Sequence, residues 1–290
     1  MPLNINTNAA ASSASYYLSK NNAALQKSLT RLSSGSRITQ PADDAGGLAV
    51  SMKLSGTINR LSGVEKNIDN AISFLQVQDG VLESSGKILD RMAELKALSQ
   101  DVLKNSSDIA NYNAEFKNLQ VQLYQMSETT FNGVSLFATT QSGSGNAIFN
   151  TSGSGNTVSI FTSATGESGS IVSINKTTLL AALTIKASST STKNTFQSAA
   201  SDSDIYSFGA ATTGAAFELG DVSVAVFTQA LQNVATLRAE NGGSVSRLQF
   251  SKESAAAQKT NLEAANGRIM DVDIASESTQ LAKYNILVQA

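Results

Sequence analysis

The side chains able to do chemistry in this sequence are few. Asp43 and Asp44 are adjacent carboxylates shortly after Pro41, and Gly46-Gly47 follows them; further on come Arg91, Glu94 and Leu95, and later Glu115. Paired carboxylates can exchange protons with a substrate or hold a cation. They rarely act alone, and the 290 residues contain no histidine, no cysteine and no tryptophan. That removes imidazole bases, thiolate nucleophiles, disulfides and the usual zinc ligands together. Asp43 and Asp44 instead stand where a helix cap belongs, just after a proline and before a long helix, so that a carboxylate can accept the free amide hydrogens of the first turn. Gly46-Gly47 lacks the Lys-Ser/Thr pair and the preceding strand of a phosphate loop, and reads as permitting close helix contact. Arg91 and Leu95 are four apart on one helix face, and Glu115 follows on the next helix after a turn near 104–108, so the three can meet in space. As an ordinary exposed ion pair, such a group is worth only ~0–1 kcal/mol. No catalytic, metal or cofactor site is expected. With a net charge of -2 and a pI near 5.3, the chain offers no overall positive field for nucleic acid.

The elements that must position these residues are long helices. The only prolines are Pro2 and Pro41. Leu54, Leu61, Ile68, Leu75, Leu82 and Leu89 recur at every seventh position, with Ile58, Val64, Ile72 and Met92 on the companion face, a coiled-coil-like stripe that predicts one helix over 44–103. Ala11, Leu18, Leu25 and Leu32 repeat the pattern at the start, with Ala14 and Leu29 beside them, and Gly35 is placed to end that helix in a left-handed conformation. Tyr112, Phe116, Leu119, Leu123 and Met126 mark a third helix. Asn132-Gly133 between apolar residues predicts a tight hairpin. Helical spacing returns with Phe227, Leu231, Val234 and Leu237, continues through Leu248, Ala255, Leu262 and Ile269, and ends with Leu281, Tyr284 and Val288.

Between these halves the composition turns to Ser, Thr, Gly and Ala. Alternating pieces at 157–162, 170–174 and 221–227 predict strands, and the Gly-Ser run at 142–145 a flexible entry. The expected fold is therefore mainly α: a long antiparallel coiled-coil-like bundle that brings the N- and C-termini together, with a β-hairpin and a small β-rich insert in the middle of the chain. Residues 1–22 show no cleavable signal, and no apolar run is long enough to cross a bilayer.

Specific motifs go further than periodicity. Ser33-Ser34-Gly35-Ser36-Arg37-Ile38, followed by Gln40-Pro41-Ala42-Asp43-Asp44-Ala45-Gly46-Gly47-Leu48-Ala49-Val50-Ser51, resembles the signature of bacterial flagellin. Ile5-Asn6-Thr7-Asn8, Phe131-Asn132-Gly133, Leu237-Arg238-Ala239-Glu240 with Arg247-Leu248, and Gly267-Arg268-Ile269-Met270-Asp271-Val272-Asp273-Ile274-Ala275 agree with it in order and spacing. The resemblance covers residues 1–140 and 226–290, and the middle carries no motif that extends it.

The resemblance implies a structural subunit of the flagellar filament, exported without a cleaved signal peptide through the flagellar type III channel and polymerised outside the cell into a helical tube for motility. It implies other copies of the chain as partners, together with an export chaperone, cap and hook-junction proteins. It also implies an inner coiled-coil domain of 1–42 with 266–290, a helical rod domain of 43–140 with 226–265, and a surface-exposed insert of 141–225. Leu18, Leu25, Leu32, Ile269, Leu281 and Val288 would line the assembling terminal helices, which would be disordered before assembly. In flagellins recognised by Toll-like receptor 5, an arginine, a leucine four residues later and a glutamate on the adjacent helix make the central contacts; Arg91, Leu95 and Glu115 match those positions. Ser142, Ser144, Thr151, Thr162, Ser188 and Thr190 are candidates for O-linked sugars, as in many flagellin inserts. The chain ends at Ala290, where flagellins continue for several more helical turns. Two other readings compete, a hook-filament junction protein and an adhesion module carried on a helical stalk. An enzyme embedded in the insert would need the histidines of the zinc-protease helix, which are missing.

Overall fold

The computed structural model describes residues 8–138, 157–186, 195–196 and 205–289. The chain forms two compact units, Met1–Gly63 with Ala255–Ala290, and Val64–Ser254. Two long helices, α2 (Ala45–Ser99) and α5 (Val224–Met270), contribute to both.

In the first unit, α1 (Ala9–Ser34) starts at an Asn8 cap whose side chain accepts from the amides of Ala10 and Ala11. It stops at Gly35, which takes the left-handed conformation (φ 70°) expected of a helix-ending glycine. The short helix α6 (Ile274–Gln289) packs on α1. The two run antiparallel, because Ser36 bridges to Asp271 while Arg31, earlier in α1, meets Glu277, later in α6. Alongside them Ser51 of α2 donates to the side chain of Asn266 in α5.

The second unit is built on the stripe of α2. Val64, Ile68, Ala71, Leu75, Leu82, Leu89 and Met92 are all buried. Two helices cover them: α3 (Ser106–Ser127), through Phe116 and Leu123, and α5, through Val226, Phe227, Ala230, Val234 and Leu248. Among these residues the period of the hydrophobic pattern and the pattern of burial agree. Polar residues in the seam are paired to backbone: Asn241 Nδ2 donates to the Leu75 carbonyl at 2.8 Å and Gln78 Nε2 to that of Leu136 at 2.6 Å. Arg238 holds Asp79 with two hydrogen bonds of 2.9 and 3.0 Å.

The hairpin is as the sequence predicts. β1 (Thr130–Phe131) and β2 (Val134–Ser135) join through Asn132 and Gly133, both at positive φ (50° and 78°), as this tight turn requires. β3 (Thr157–Phe161) and β4 (Ile171–Asn175) pair antiparallel, near the expected strands. The insert also contains a short helix, α4 (Leu179–Ala182), and a three-stranded sheet in the order β6-β5-β7 (Thr195–Phe196, Thr184–Lys186, Ile205–Ser207). Its buried Phe208 stacks on Phe227 of α5 with ring centroids 5.1 Å apart, and Gln120 of α3 exchanges two hydrogen bonds with the backbone of Phe217.

Two expectations need correction. The strand at 221–227 does not form; Leu219–Asp221 is a 3-10 turn and Val224 already begins α5. Burial of Val226, Phe227, Ala230 and Val234 at three- and four-residue spacing overrides the β preference of the valines. The long helix also stops at Ser99 instead of 103, where the Asp101 side chain accepts from the Leu103 amide and offers the backbone a turn in place of a further helical bond.

Leu89→Ala, at a site with no solvent exposure, is expected to destabilise the second unit by about 2–5 kcal/mol in denaturant unfolding, whereas Phe250→Ala, at an exposed site, should change stability by less than about 0.5 kcal/mol.

Candidate functional site

The motif after α1 and the motif at the end of α5, distant in sequence, meet in the first unit. The Arg37 amide donates to the Met270 carbonyl at 2.6 Å and the Val272 amide to the Gly35 carbonyl at 3.0 Å, while Arg37 Nε donates to the Ile269 carbonyl at 3.0 Å. The same guanidinium reaches Asp44 at 3.2 Å. Asp44 is the cap of α2: its Oδ1 accepts from the Gly47 amide at 2.8 Å. Asp43 instead holds the preceding turn. One of its oxygens accepts from the Thr39 amide, the Thr39 hydroxyl and the Gln40 amide, and the other lies 2.5 Å from Lys27 Nζ on α1. Gly47 sits in a crowded spot, since a Cβ there would lie 2.5 Å from the Asp44 carboxylate and 3.0 Å from Ile38 and displace the cap. The paired carboxylates are thus consumed in joining α1, α2 and the end of α5.

Both carboxyls are held below the usual carboxylate range, Asp43 chiefly by the Lys27 ammonium and Asp44 chiefly by the Gly47 amide and then by Arg37. Among the described residues no cluster of three or more Asp or Glu side chains is arranged to hold a metal ion. No described helix is long and apolar enough to cross a membrane.

The assembly residues expected from sequence fall on α1, α5 and α6. Leu25, Leu32, Ile269, Leu281 and Val288 are half-buried and Leu18 is exposed. α1 and α6 are each other's partner, but only one stripe of each is covered. Tyr16, Tyr17, Leu18 and Leu29 on α1 and Ile274, Ile286 and Leu287 on α6 remain exposed, Tyr16 and Ile286 to 65% and 66%. Unpartnered apolar side chains at this density on two adjoining helices mark an interaction surface.

Arg91 and Glu115 do meet. Arg91 Nε and Nη2 donate to the two oxygens of Glu115 at 2.8 and 3.2 Å, and Nη1 donates to Glu94 at 2.8 Å, all three residues lying at the surface. These carboxylates raise the guanidinium's pKa, Glu115 most. Leu95 requires a correction: it is wholly buried and offers no surface. Four residues on from Arg91, it turns inward because positions 89, 92 and 95 form the stripe that α2 buries. Of the candidate modification sites, Thr162 is half-buried and donates to the Ser170 carbonyl at 3.0 Å. Ser142, Ser144, Thr151, Ser188 and Thr190 lie outside the described residues. Sequence reasoning did not find Arg31 and Glu277, which pair across the α1–α6 seam; a charge of each sign on facing amphipathic helices was the available signal.

Helices from both ends of the chain packed together, a capped joint where carboxylates serve structure, and apolar faces left open define a helical structural protein. Comparison with known proteins gives the family. Residues 5–142 match the bacterial flagellin N-terminal helical region and residues 224–290 the bacterial flagellin C-terminal helical region. Flagellin of Bacillus subtilis is 32% identical over 99% of this chain and 93% of its own length. Flagellin of Listeria monocytogenes is 30% identical over 99% of this chain and 92% of its own, and the flagellar filament 30.7 kDa core protein of Treponema maltophilum is 29% identical over the same shares. The crystal structure of Bacillus cereus flagellin covers 69% of this chain and 94% of its own, with a TM-score of 0.45 at 19% identity. The chain belongs to the bacterial flagellin family, and is a structural protein of the flagellar filament and not an enzyme.

The joint predicts an acid response. The folded pKa values of Asp43 and Asp44 lie below their unfolded values, so the stability they contribute is present above about pH 4 and is lost as pH falls through the folded values. Melting temperature of the first unit should fall on acidification below about pH 4, and the Asp43→Asn, Asp44→Asn double variant should show a lower melting temperature at pH 7 and a flatter profile.

Proposed function

We propose that copies of this chain polymerise into the flagellar filament outside the cell, and that the open faces of α1 and α6 form the contacts between neighbouring copies. The observation that carries the reading is the row of Tyr16, Tyr17, Leu18 and Leu29 on α1 beside Ile286 and Leu287 on α6, exposed on helices that already pack together. A second copy is the partner of matching chemistry, because these faces are apolar and repeat along antiparallel helices. Family membership supports the rest: export through the flagellar type III channel, with a chaperone, the filament cap and hook-junction proteins as transient partners. Under this reading residues 1–42 with 266–290 form the inner layer, 43–140 with 226–265 the surrounding one, and 141–225 the outer surface. Intact mass of filament protein above the sequence mass would reveal sugars on the insert.

Purified protein seeded with filament fragments tests the reading. The parent should elongate, and Leu18→Asp or Ile286→Asp should raise the critical concentration at least about tenfold, since each removes ~1.5–3 kcal/mol of apolar burial per contact. Elongation by both variants at the parental concentration would reject these faces as the contact.

The exposed Arg91, Glu94 and Glu115 cluster favours a second role, recognition by Toll-like receptor 5. The geometry behind it is the planar guanidinium held by Glu115 at two points, which presents a fixed charged surface. Arg91→Ala in soluble monomer should lower receptor signalling at least about tenfold, as loss of a central arginine anchor does. Signalling equal to the parent would refute it.

A further inference from the structure

The seam between α1 and α6 contains a feature that apolar packing does not explain. Glu277 is 5% exposed and Ser28 3%. Arg31 reaches Glu277 with Nη1 to Oε2 at 3.8 Å, and the side chains keep only 21% and 7% of their surface. Arg31 Nε and Glu277 Oε1 are buried with no hydrogen-bond partner. One is a donor and the other an acceptor, so the guanidinium fork and the carboxylate are matched for a two-point contact that is only partly made. Each charge also suits its helix end. Arg31 lies in the last turn of α1, where carbonyls point outward, and Glu277 in the first turn of α6, whose amides are capped by Asp273.

We propose that Arg31 and Glu277 form the register lock of the two terminal helices, fixing which residues of α1 lie level with which residues of α6. Beyond the backbone bridge of Ser36 and Asp271 at one end, the seam consists of half-buried Ala24, Leu25, Leu32, Leu281, Tyr284 and Val288, and leucine-rich stripes repeating at sevens tolerate a slip of one heptad with little loss of burial. The charges do not. In a slip of seven residues one way, Glu277 lies level with Ala24 and Arg31 with Met270; the other way, Glu277 meets Ile38 and Arg31 meets Tyr284. Either slip leaves a carboxylate and a guanidinium buried against apolar groups, which is strongly disfavoured. A buried polar pair in an apolar helical seam is the device by which register is specified at a cost in stability. The lock determines how Leu18 and Ile286 are presented together. It rests on the assembly reading only for that consequence, not for its existence.

Chemical cross-linking tests it directly, because the chain has no cysteine. Ala24→Cys with Tyr284→Cys places thiols seven residues from Arg31 and from Glu277, level in the observed register. Tyr17→Cys with Tyr284→Cys is level only after a slip. In filaments grown from seeds, with the cysteine-bearing chain diluted into parent, a bis-maleimide shorter than the ~10 Å rise of one heptad should link the first pair within one chain. Arg31→Glu or Glu277→Arg alone should lower the ratio of first-pair to second-pair product at least about fivefold, and the double swap should restore it to within about twofold, the non-additivity expected of a direct pair. If either single variant keeps the parental ratio, or the swap fails to restore a lost one, the lock is overturned. Correct linking in filaments whose neighbouring copies meet elsewhere than at α1 and α6 overturns the assembly reading and leaves the lock standing.

Discussion

A pair of amphipathic helices can cover only one stripe of each partner, and this constraint governs the first unit. α1 and α6 bury Ser28 and Glu277 and half-bury the leucines around them, while Tyr16, Tyr17 and Ile286 stay in solvent. Leaving that much apolar surface open is costly for an isolated chain and useful for one that acts in the company of copies of itself. The joint at 35–47 turns the constraint into geometry. By capping α2 with Asp44, bracing α1 through Lys27 and Asp43, and pairing Arg37 with the end of α5, it fixes where the open faces begin.

The second unit solves its packing internally. α2 has a third helix as well as α5 against its stripe, and Leu82, Leu89 and Met92 have no exposed surface. Gln78, Gln120 and Asn241 each donate to a main-chain carbonyl, and Gln120 also accepts from the Phe217 amide, whereas Gln78 Oε1 and Asn241 Oδ1 are buried without a partner, at a cost in stability. The second unit buries its apolar stripe within itself, whereas the first leaves apolar faces of α1 and α6 open.

Much of this was legible in the sequence because the strongest signals were physical ones. Heptads at Leu61, Ile68, Leu75, Leu82 and Leu89 read as buried and are buried, and Asn132-Gly133 read as a tight turn and is one. Gly35 and Asp44 read as a helix stop and a helix cap and act so. What was hidden depended on tertiary context. Val224 and Val226 prefer strands but belong to α5, because Phe208 and Phe116 cover Phe227 beside them. Leu95 shares a spacing with Arg91 but points the other way. Arg31 and Glu277 gave a sign only as a pair on two facing helices, since nothing in either helix alone says that a charge will be buried. The β6-β5-β7 sheet lay in a stretch whose Ser, Thr and Ala residues carry almost no periodic pattern.

In the proposed filament, neighbouring copies close the open faces of α1 and α6. A helical reconstruction of the assembled filament by electron cryomicroscopy, at a resolution that shows side chains, measures this directly. Tyr16, Tyr17, Leu18, Ile286 and Leu287 are expected to be buried against α1 or α6 of adjacent copies. Filaments in which those side chains face solvent or a water-filled lumen, with contacts made elsewhere, would contradict it.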